Sequence, residues 1–312
     1  MELGELNDTV ITEFVLIGFA GKPKTRMGLM SFLIFAYLVT MIGNGIILFV
    51  VIAEPRLHNP MYFFLCNLSI VDICYTTASV PQAIANCLVD RPVMSFNMCY
   101  TQMYVGIYIG STECFLLAVM AYDRYVAISN PLRYMIIMNW KICVMLSAVS
   151  WVGAFFLSVV PIVAQPSQFC GHNKVDNIVC ELTALMKLIC SDNAVGQVVM
   201  FFTSSFTLLV PFAFILFSYL RIIVAIIRLH SSGGRWKAFS TCGSHLAVVG
   251  FYYGTCIFTY VKPQSKVSQE RDKIIPTIYG TVIPLLNPLI YTLRNQEVKG
   301  ALKRLTEKKM SS

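Results

Sequence analysis

The stretch "LIFAYLVTMIGNGIILFVVI" (Leu33–Ile52) contains no charged residue and no regular alternation of apolar and polar residues. A helix of about 20 residues measures about 30 Å, the thickness of the hydrocarbon core of a bilayer. Because lipid cannot satisfy exposed backbone groups, such a segment crosses a membrane as a helix. A membrane β-barrel would require alternation, which is absent here. The stretch therefore predicts a transmembrane helix.

The whole chain shares this composition: 56% of its 312 residues are hydrophobic and 13% are charged, against about a quarter charged in soluble domains. Apolar segments long enough to cross a bilayer lie at 27–53, 60–86, 98–128, 140–163, 195–228, 237–261 and 272–293. No low-complexity segment or repeat divides the chain. We therefore expect one all-α domain over 1–312: an N-terminal segment (1–26), a seven-helix bundle (27–293) and a tail (294–312).

The charges of the loops predict the orientation. An N-terminus outside the cell places most loop Lys and Arg residues in the cytoplasm, as the positive-inside rule requires. Lys22, Lys24 and Arg26 lie outside in this orientation and count against it. The glycosylation sequon Asn7-Asp8-Thr9 agrees with an outer N-terminus, with Asn7 as the acceptor.

The tail is predicted to form a short amphipathic helix on the inner membrane surface. Val298, Leu302 and Leu305 share one face of that helix, and basic residues including Lys299 and Lys303 line the other. Helices with this pattern lie in the interface between lipid head groups and acyl chains.

Four cysteines lie where the outer face is predicted: Cys99, Cys170, Cys180 and Cys190. The outside of the cell is oxidising, so disulfides are expected there. Four cysteines allow three pairings, and the residues alone do not choose among them.

Two acids, Asp72 and Glu113, lie in the middle of apolar segments. A carboxylate at membrane depth is costly and indicates a functional site. One interpretation is a Na⁺ ion held by oxygen ligands, and another is a carboxylate pair that shares a proton. A proton relay is the third, and it keeps a seven-span transporter or channel open as an alternative function. An intramembrane enzyme would need a paired nucleophile and base in facing spans, which the sequence lacks.

Six motifs then occur in a characteristic order. They are Gly43-Asn44, "PMYFFLCNLSIVDICYTT" (60–77), "MAYDRYVAISNPLRY" (120–134), Ser218-Tyr219, "KAFSTCGSHL" (237–246) and "PLLNPLIYTLRN" (284–295). With these residues the chain resembles, along nearly its whole length, the odorant receptors, a branch of the rhodopsin-like G-protein-coupled receptors.

The resemblance implies a receptor and not an enzyme. It implies a volatile ligand, coupling to the heterotrimeric G protein of the olfactory stimulatory class, a rise in cAMP, and location among the lipids of the plasma membrane in olfactory cilia. Nucleic acid is not an expected partner. The resemblance also implies the pairings Cys99–Cys180 and Cys170–Cys190.

Asp123-Arg124-Tyr125 follows the apolar run Cys114–Ala121. From the residues alone, Arg124 is either a snorkelling side chain near a helix end or a switch. The resemblance favours the switch, with Arg124 paired to Asp123 in the closed bundle and released toward the G protein. It assigns further roles in coupling to Tyr125, Tyr219, Asn287, Pro288 and Tyr291. The kinked Asn287-Pro288 segment is expected to be a hinge whose free carbonyls are bonded by Asn287 and water.

Family geometry places a ligand pocket among small, apolar and hydroxyl residues. The positions are Gly106, Ile107, Gly110, Ser111, Thr203, Ser204, Thr207, Tyr253, Cys256, Tyr260, Gly280 and Thr281. None is charged, so a neutral and mostly apolar ligand is expected. Some of these residues would instead serve helix packing, since small and hydroxyl residues also join membrane helices. Asn177 stands where some relatives carry a proposed copper-binding His, so no transition-metal site and no cofactor other than Na⁺ is predicted.

Overall fold

The chain is described here from a computed structural model, which covers residues 11–18, 23–164, 169, 172–189, 194–228, 232–260, 280–291 and 296–310. The side chains of 194, 197, 232–241, 257–260, 296 and 308–310 fall outside this description. Asn7, Cys170 and Cys190 also lie outside it, so the predicted glycosylation site and the second predicted disulfide stay predictions.

Long helices dominate the fold. They are α1 (Pro23–Ala53), α2 (Pro60–Cys87), α3 (Phe96–Ser129), α4 (Trp140–Val163, with a π-helical turn at Phe155–Val159), α5 (Ala194–Ile227), α6 (Ser232–Tyr260), α7 (Gly280–Tyr291) and α8 (Gln296–Met310). Single helical turns at Tyr134–Ile137 and Leu182–Met186 join the longer helices. Three helices begin after a polar N-cap residue. Asn59, Ser95 and Asn139 each accept a hydrogen bond from a backbone N–H in the first turn of α2, α3 and α4.

Within the described residues, α1 to α5 are each long and apolar enough to cross a membrane. The apolar helix α7 is shorter over its described part. The amphipathic tail helix is present as α8, with Val298 and Ala301 buried and Lys299 exposed. The seven-span count and the orientation across the membrane stay predictions, as do the domain boundaries, although α1 begins at Pro23, before residue 27.

One end of the bundle carries a small β-sheet that the sequence analysis did not predict. The strands are β1 (Glu13–Leu16), β2 (Val93–Ser95) and β3 (Lys174–Val175), in the order β2-β1-β3. Strand β1 is antiparallel to β2 and parallel to β3. Phe14 of β1 is fully buried against Phe96 and Phe169. The N-terminal segment thus pairs, through β1, with two loops at this end of the bundle.

Arg26 has a structural role at the same end. Its guanidinium donates to the carbonyl of Cys87, which the end of α2 leaves without a helical partner, and to that of Val89 just beyond the helix. It also pairs with Asp90 at 2.8 Å. An arginine that caps a helix in this way is placed by its hydrogen bonds. Its positive charge at this end is therefore weak evidence against the predicted orientation, in which the N-terminus lies outside the cell.

Helix α3 lies at the centre of the bundle, where it contacts α2, α4, α5 and α6. Its buried residues include Thr112, Glu113, Asp123 and Arg124. Polar groups of α3 are therefore placed among neighbouring helices and away from the surrounding lipid.

Helices α1 and α7 meet at the motif Gly43-Asn44. A Cβ atom on Gly43 would lie 2.8 Å from Cβ and 2.9 Å from Cγ of Pro288, so only glycine allows this approach. Pro288 has no N–H and leaves the carbonyl of Pro284 without a helical donor. The Asn44 amide donates to this carbonyl at 3.4 Å and to Thr40 at 3.1 Å. The expected partner of the free carbonyl is thus corrected: Asn44 bonds it, while Asn287 donates to Asp72. The hinge itself stays a prediction.

Candidate ligand pocket, acidic core and arginine site

A hydrogen bond joins α3 to α6 in the region of the predicted pocket. The Tyr252 hydroxyl donates to the carbonyl of Gly110 at 2.8 Å and lies 3.1 Å from the Cys114 Sγ atom. Tyr252 was not among the predicted site residues, although it stands in the stretch "FYYG" beside Tyr253. It connects a predicted pocket residue, Gly110, directly to the sixth helix.

The adjacent Tyr253 is the strongest polar candidate in the pocket. It is 2% exposed, its ring packs on Phe212 with 4.7 Å between centroids, and its hydroxyl has no hydrogen-bond partner. A buried hydroxyl without a partner costs about 1–3 kcal/mol. Ser111, Thr207 and Cys256 are also buried. The Tyr253 hydroxyl can therefore take a polar atom of a ligand or a water molecule.

The α5 candidates are less suited to polar contacts than predicted. The hydroxyls of Thr203 and Thr207 donate to carbonyls of their own helix. Ser204 is exposed on α5, and its inward position stays a prediction. The helix has apolar residues on nearly every side, and its rotation about its axis is not fixed by the sequence. Gly106 and Ile107 are half-buried on α3, and the side chain of Tyr260 falls outside the described residues.

Gly280 and Thr281 of α7 line a small recess beside α1 and α2. Its other walls are Leu33, Tyr75, Ser79, Val80, Ala83 and Val179. A Cβ atom on Gly280 would lie 2.8 Å from the Tyr75 ring, so glycine lets this ring approach α7. These two predicted residues thus belong to the side of the bundle formed by α1, α2 and α7.

The predicted disulfide between Cys99 and Cys180 is present and joins the beginning of α3 to the loop before α5. Gln102 reinforces this connection, since its side chain accepts from the Cys180 N–H at 2.8 Å and donates to the carbonyl of Ala78. The next residue, Glu181, accepts from Asn177 at 3.3 Å. Burial raises the pKa of Glu181 to about 7, against the lowering effect of the Asn177 hydrogen bond. The loop therefore holds an acid that titrates near neutral pH.

The two intramembrane acids lie together with asparagines of α1 and α7. Asn287 donates to both carboxylate oxygens of Asp72, at 3.0 and 3.2 Å. Glu113 lies close enough to Asp72 for their charges to interact, while the Asn44 amide donates to the carbonyls of Thr40 and Pro284. Several buried oxygens have no partner: those of Asn44, Ser69, Glu113 and Asn287. Carboxylate, amide and hydroxyl oxygens are the ligands that a hard cation prefers, so these residues fit a Na⁺ ion.

Arg124 lies deep in the opposite end of the bundle from the disulfide. It is 9% exposed and its Nε atom has no hydrogen-bond partner. Its charge lies within range of Asp123 and Tyr134 as well as Tyr219, Tyr291 and His245. The structure differs from the predicted closed state in one respect: among the described residues no ion pair joins Asp123 to Arg124. Asp123 accepts instead from the Tyr134 hydroxyl at 2.7 Å.

His245 of α6 completes this region and was not predicted as a site residue. Its Nδ1 atom lies 2.8 Å from the Tyr219 hydroxyl, and its Nε2 atom lies 3.1 Å from the carbonyl of Leu117. The imidazole is fully buried, and its two contacts join α6 to both α5 and α3. In the sequence, His245 stands in the motif "KAFSTCGSHL" and has no metal-binding spacing to another histidine, so it was not singled out. Tyr125 is half-buried beside this region, and the buried hydroxyl of Tyr291 has no partner.

The helical arrangement has a solved counterpart. It matches squid rhodopsin with a TM-score of 0.73, covering 91% of this chain and 81% of rhodopsin, at 14% sequence identity. A likeness at this identity defines the fold, which is that of a rhodopsin-like helical bundle.

The sequence comparisons then give the family. The model of the olfactory receptor family matches residues 33–309. Human olfactory receptor 13H1 is 46% identical over 97% of this chain and 98% of its own length. Human olfactory receptor 2A12 and mouse olfactory receptor 2B6 are each 46% identical, the first over 98% of this chain and 99% of its own length, the second over 97% of both. The chain belongs to the olfactory receptor family, and none of these findings supports the transporter alternative.

Proposed function

We propose that this protein is an odorant receptor that binds a small volatile molecule within the helix bundle and activates a heterotrimeric G protein. The observation that carries the proposal is the set of contacts around Arg124. A buried guanidinium that pairs with no carboxylate of the described residues lies near a histidine that joins three helices. An outward movement of α6 would break the His245 contacts to Leu117 and expose Arg124 to a partner.

Arginine suits this role for physical reasons. Its guanidinium stays charged at every physiological pH, and its planar group of five N–H donors can bond several carbonyls at once. The exposed end of a G-protein helix offers such carbonyls, because the last turn of a helix leaves them without partners. We propose the olfactory stimulatory class of G protein, with cAMP as the product of signalling.

The ligand is expected to be neutral and mostly apolar. The buried candidates Ser111, Tyr253 and Cys256 carry no charge at neutral pH, and the Tyr253 hydroxyl needs one partner. Each methylene buried on binding contributes about 0.8 kcal/mol, so most of the affinity comes from the carbon body. An alcohol, ketone or ester meets both requirements.

The acidic core is proposed to hold a Na⁺ ion. Asp72 and Glu113 would supply the negative charge, and the unpartnered oxygens of Asn44, Ser69 and Asn287 would complete the ligands. A single Na⁺ ion would neutralise one of the two carboxylates at membrane depth. The competing proposal is a proton shared between the two acids, and a dependence of activity on Na⁺ concentration separates the two.

The proposed location is the plasma membrane of olfactory neurons, in their cilia, with the N-terminus outside and α8 on the inner surface. We propose no catalytic role. The decisive test is a cAMP reporter screen of alcohols, ketones, esters, amines and carboxylates, in cells that express the receptor with the olfactory stimulatory G protein. Selective activation by neutral compounds supports the proposal. Activation by amines or carboxylates alone contradicts the assignment of the pocket, and transport of a solute without cAMP contradicts the receptor function.

A further inference from the structure

Two polar side chains of α6 contact backbone carbonyls of α3. His245 lies 3.1 Å from the carbonyl of Leu117, and the Tyr252 hydroxyl donates to the carbonyl of Gly110 at 2.8 Å. The spacing is the same in both helices, because Tyr252 lies seven residues after His245 and Gly110 lies seven residues before Leu117. Seven helical residues rise about 10.5 Å. Helix α6 is thus joined to α3 at two levels, and the Tyr252 level lies in the region of the predicted pocket.

The Tyr252 hydroxyl is buried and fully bonded at this level. Tyr252 is 6% exposed, and its hydroxyl also lies 3.1 Å from the Cys114 Sγ atom. A phenol has a single proton, and this proton goes to Gly110, so the Cys114 thiol is the donor in the second contact. A movement that separates α6 from α3 here must break the bond to Gly110 and loses its stabilisation unless new partners replace it.

Open space lies beside this hydrogen bond on α3. Among the described residues, a Cβ atom on Gly110 would have the Tyr252 hydroxyl alone within 4 Å, at 3.9 Å, and a Cβ atom on Gly106, one turn earlier, would have no atom within that distance. The hydroxyl of the adjacent Tyr253 is buried and has no partner. A small molecule that lies along the two glycines therefore reaches the bond between Tyr252 and Gly110.

We propose that Tyr252 determines the chemical class of the activating ligand, and that this class is the neutral alcohols. The hydroxyl of the ligand enters the bond between Tyr252 and Gly110, accepts a hydrogen bond from the tyrosine and donates one to the carbonyl. An alcohol satisfies both ends of the opened bond, because a hydroxyl is donor and acceptor at once. A ketone or an ester only accepts, so it leaves the Gly110 carbonyl without this second donor.

Insertion of the ligand hydroxyl also explains how binding would move α6. One hydrogen bond now spans 2.8 Å between the tyrosine and the carbonyl. Two hydrogen bonds in series, each of about 2.8 Å, span up to about 5.5 Å. The ligand oxygen therefore holds Tyr252 away from α3, and α6 leaves α3 at this level without loss of a hydrogen bond.

The inference rests on the proposed function and deepens it by naming the ligand class. The comparison that tests the class uses secondary alcohols and the ketones with the same carbon skeletons, which differ in the donor alone. In the wild type, each alcohol should act at a half-maximal concentration about fivefold below that of its ketone, which corresponds to one hydrogen bond. The maximal cAMP response should also be larger for the alcohol.

Tyr252→Phe removes the bond that opposes the movement of α6. Basal cAMP should therefore rise by up to about fivefold. The maximal response to ketones should rise toward that of alcohols, because no bond to Gly110 then has to be opened. A tyrosine with a purely structural role would lower the signal when replaced, so a gain in basal signal separates the two roles.

The matched control is Tyr108→Phe. Tyr108 lies two residues before Gly110 in α3, and its ring packs against Trp151 and Phe155 of α4. The same atom is removed close to the same carbonyl, but no bond between α3 and α6 is lost. Basal cAMP and the difference between alcohols and ketones should stay as in the wild type.

The experiment measures cAMP, basal and over the matched alcohols and ketones, in cells sorted for equal surface expression. It compares the wild type, Tyr252→Phe, Tyr108→Phe and Arg124→Ala. Stronger responses to alcohols in the wild type, together with a raised basal signal in Tyr252→Phe alone, support the inference. Ketones equal to or better than their alcohols in the wild type overturn it, and so does a basal signal in Tyr252→Phe that is no higher than in Tyr108→Phe.

Failure of the proposed function gives a different result. A wild type that responds to no compound and has the basal cAMP of Arg124→Ala overturns the function and the inference together, whereas a responding wild type that fails the comparisons above overturns the inference alone. Thermal unfolding of the purified variants tests the hydrogen bond without ligand or G protein. Tyr252→Phe should melt roughly 2–4 °C below Tyr108→Phe, the effect of about one hydrogen bond in a large domain. Equal melting temperatures overturn the inference even where the cAMP results favour it.

Discussion

Substitution of Gly43 by alanine tests the contact between α1 and α7 most sharply. The new methyl group would lie 2.8 and 2.9 Å from two carbons of the Pro288 ring. Packed carbons lie about 3.5–4.0 Å apart, so α1 would have to move by roughly 0.6 Å or more. The proline ring is fixed to its own backbone and cannot rotate away. Overpacking of this kind costs about 1–3 kcal/mol.

The same helix offers a matched control in Gly45, where an added Cβ atom meets nothing within 4 Å. Replacing either glycine by alanine gains about 1 kcal/mol of helix propensity, so this gain cancels in the comparison. The melting temperature of Gly43→Ala should lie below that of Gly45→Ala by roughly 2–10 °C.

A thiol-reactive dye can follow the unfolding, because buried cysteines such as Cys114 and Cys143 become exposed when the bundle opens. The assay uses purified receptor in the same detergent and at the same salt concentration for both variants. Equal melting temperatures for the two variants would refute the close approach of α1 and Pro288.

Three further predictions concern the outer loop, the disulfide and the pocket. Burial raises the pKa of Glu181 to about 7, because the folded loop disfavours the ionised carboxylate. The contribution of this residue to the free energy of unfolding is therefore largest below the ordinary pKa of glutamate, and it is lost as the pH rises through about 7. The melting temperature should fall more between about pH 5 and about pH 8 in the wild type than in Glu181→Gln, and equal falls would contradict this assignment. Cys99→Ser opens a disulfide of sequence separation 81, worth about 4 kcal/mol, and should retain the receptor inside the cell; normal surface staining would count against it. Tyr253→Phe should raise the half-maximal concentration of an activating alcohol or ketone about tenfold and barely change that of a matched hydrocarbon, whereas equal shifts would argue that the hydroxyl does not contact the ligand.

The transmembrane helices were predictable because the length of an apolar segment indicates whether it can cross a bilayer. The segment predicted at 60–86 is α2 at Pro60–Cys87, and that predicted at 98–128 lies inside α3 at Phe96–Ser129. Lipid requires a helix in every such segment, so the bounds follow from composition. The sheet at the end of the bundle carries no such signal. Its strands have two to four residues, and Val15 pairs with Lys174 far along the chain.

The hydrogen-bond partners of buried polar side chains were harder to predict than the helices on which these side chains lie. Asn287 was expected to bond free carbonyls of the kinked segment, but its amide donates to Asp72. The partner of Asp123 was expected to be the adjacent arginine, but the connecting segment brings Tyr134 to it first. The inward position of Ser204 stays a prediction, because an apolar helix shows no polar face from which its rotation can be read.

The measurement that tests the central claim most directly is volatile-evoked cAMP in wild type and Arg124→Ala at equal surface expression. Arg124 is buried, pairs with no carboxylate in the part of the chain that the structure describes, and lies near the His245 contacts that join α6 to α3 and α5. If its guanidinium is the group that receives the G protein, the variant folds, reaches the surface and loses the cAMP response. An undiminished response in Arg124→Ala would contradict the role assigned to this arginine and the mechanism built on it.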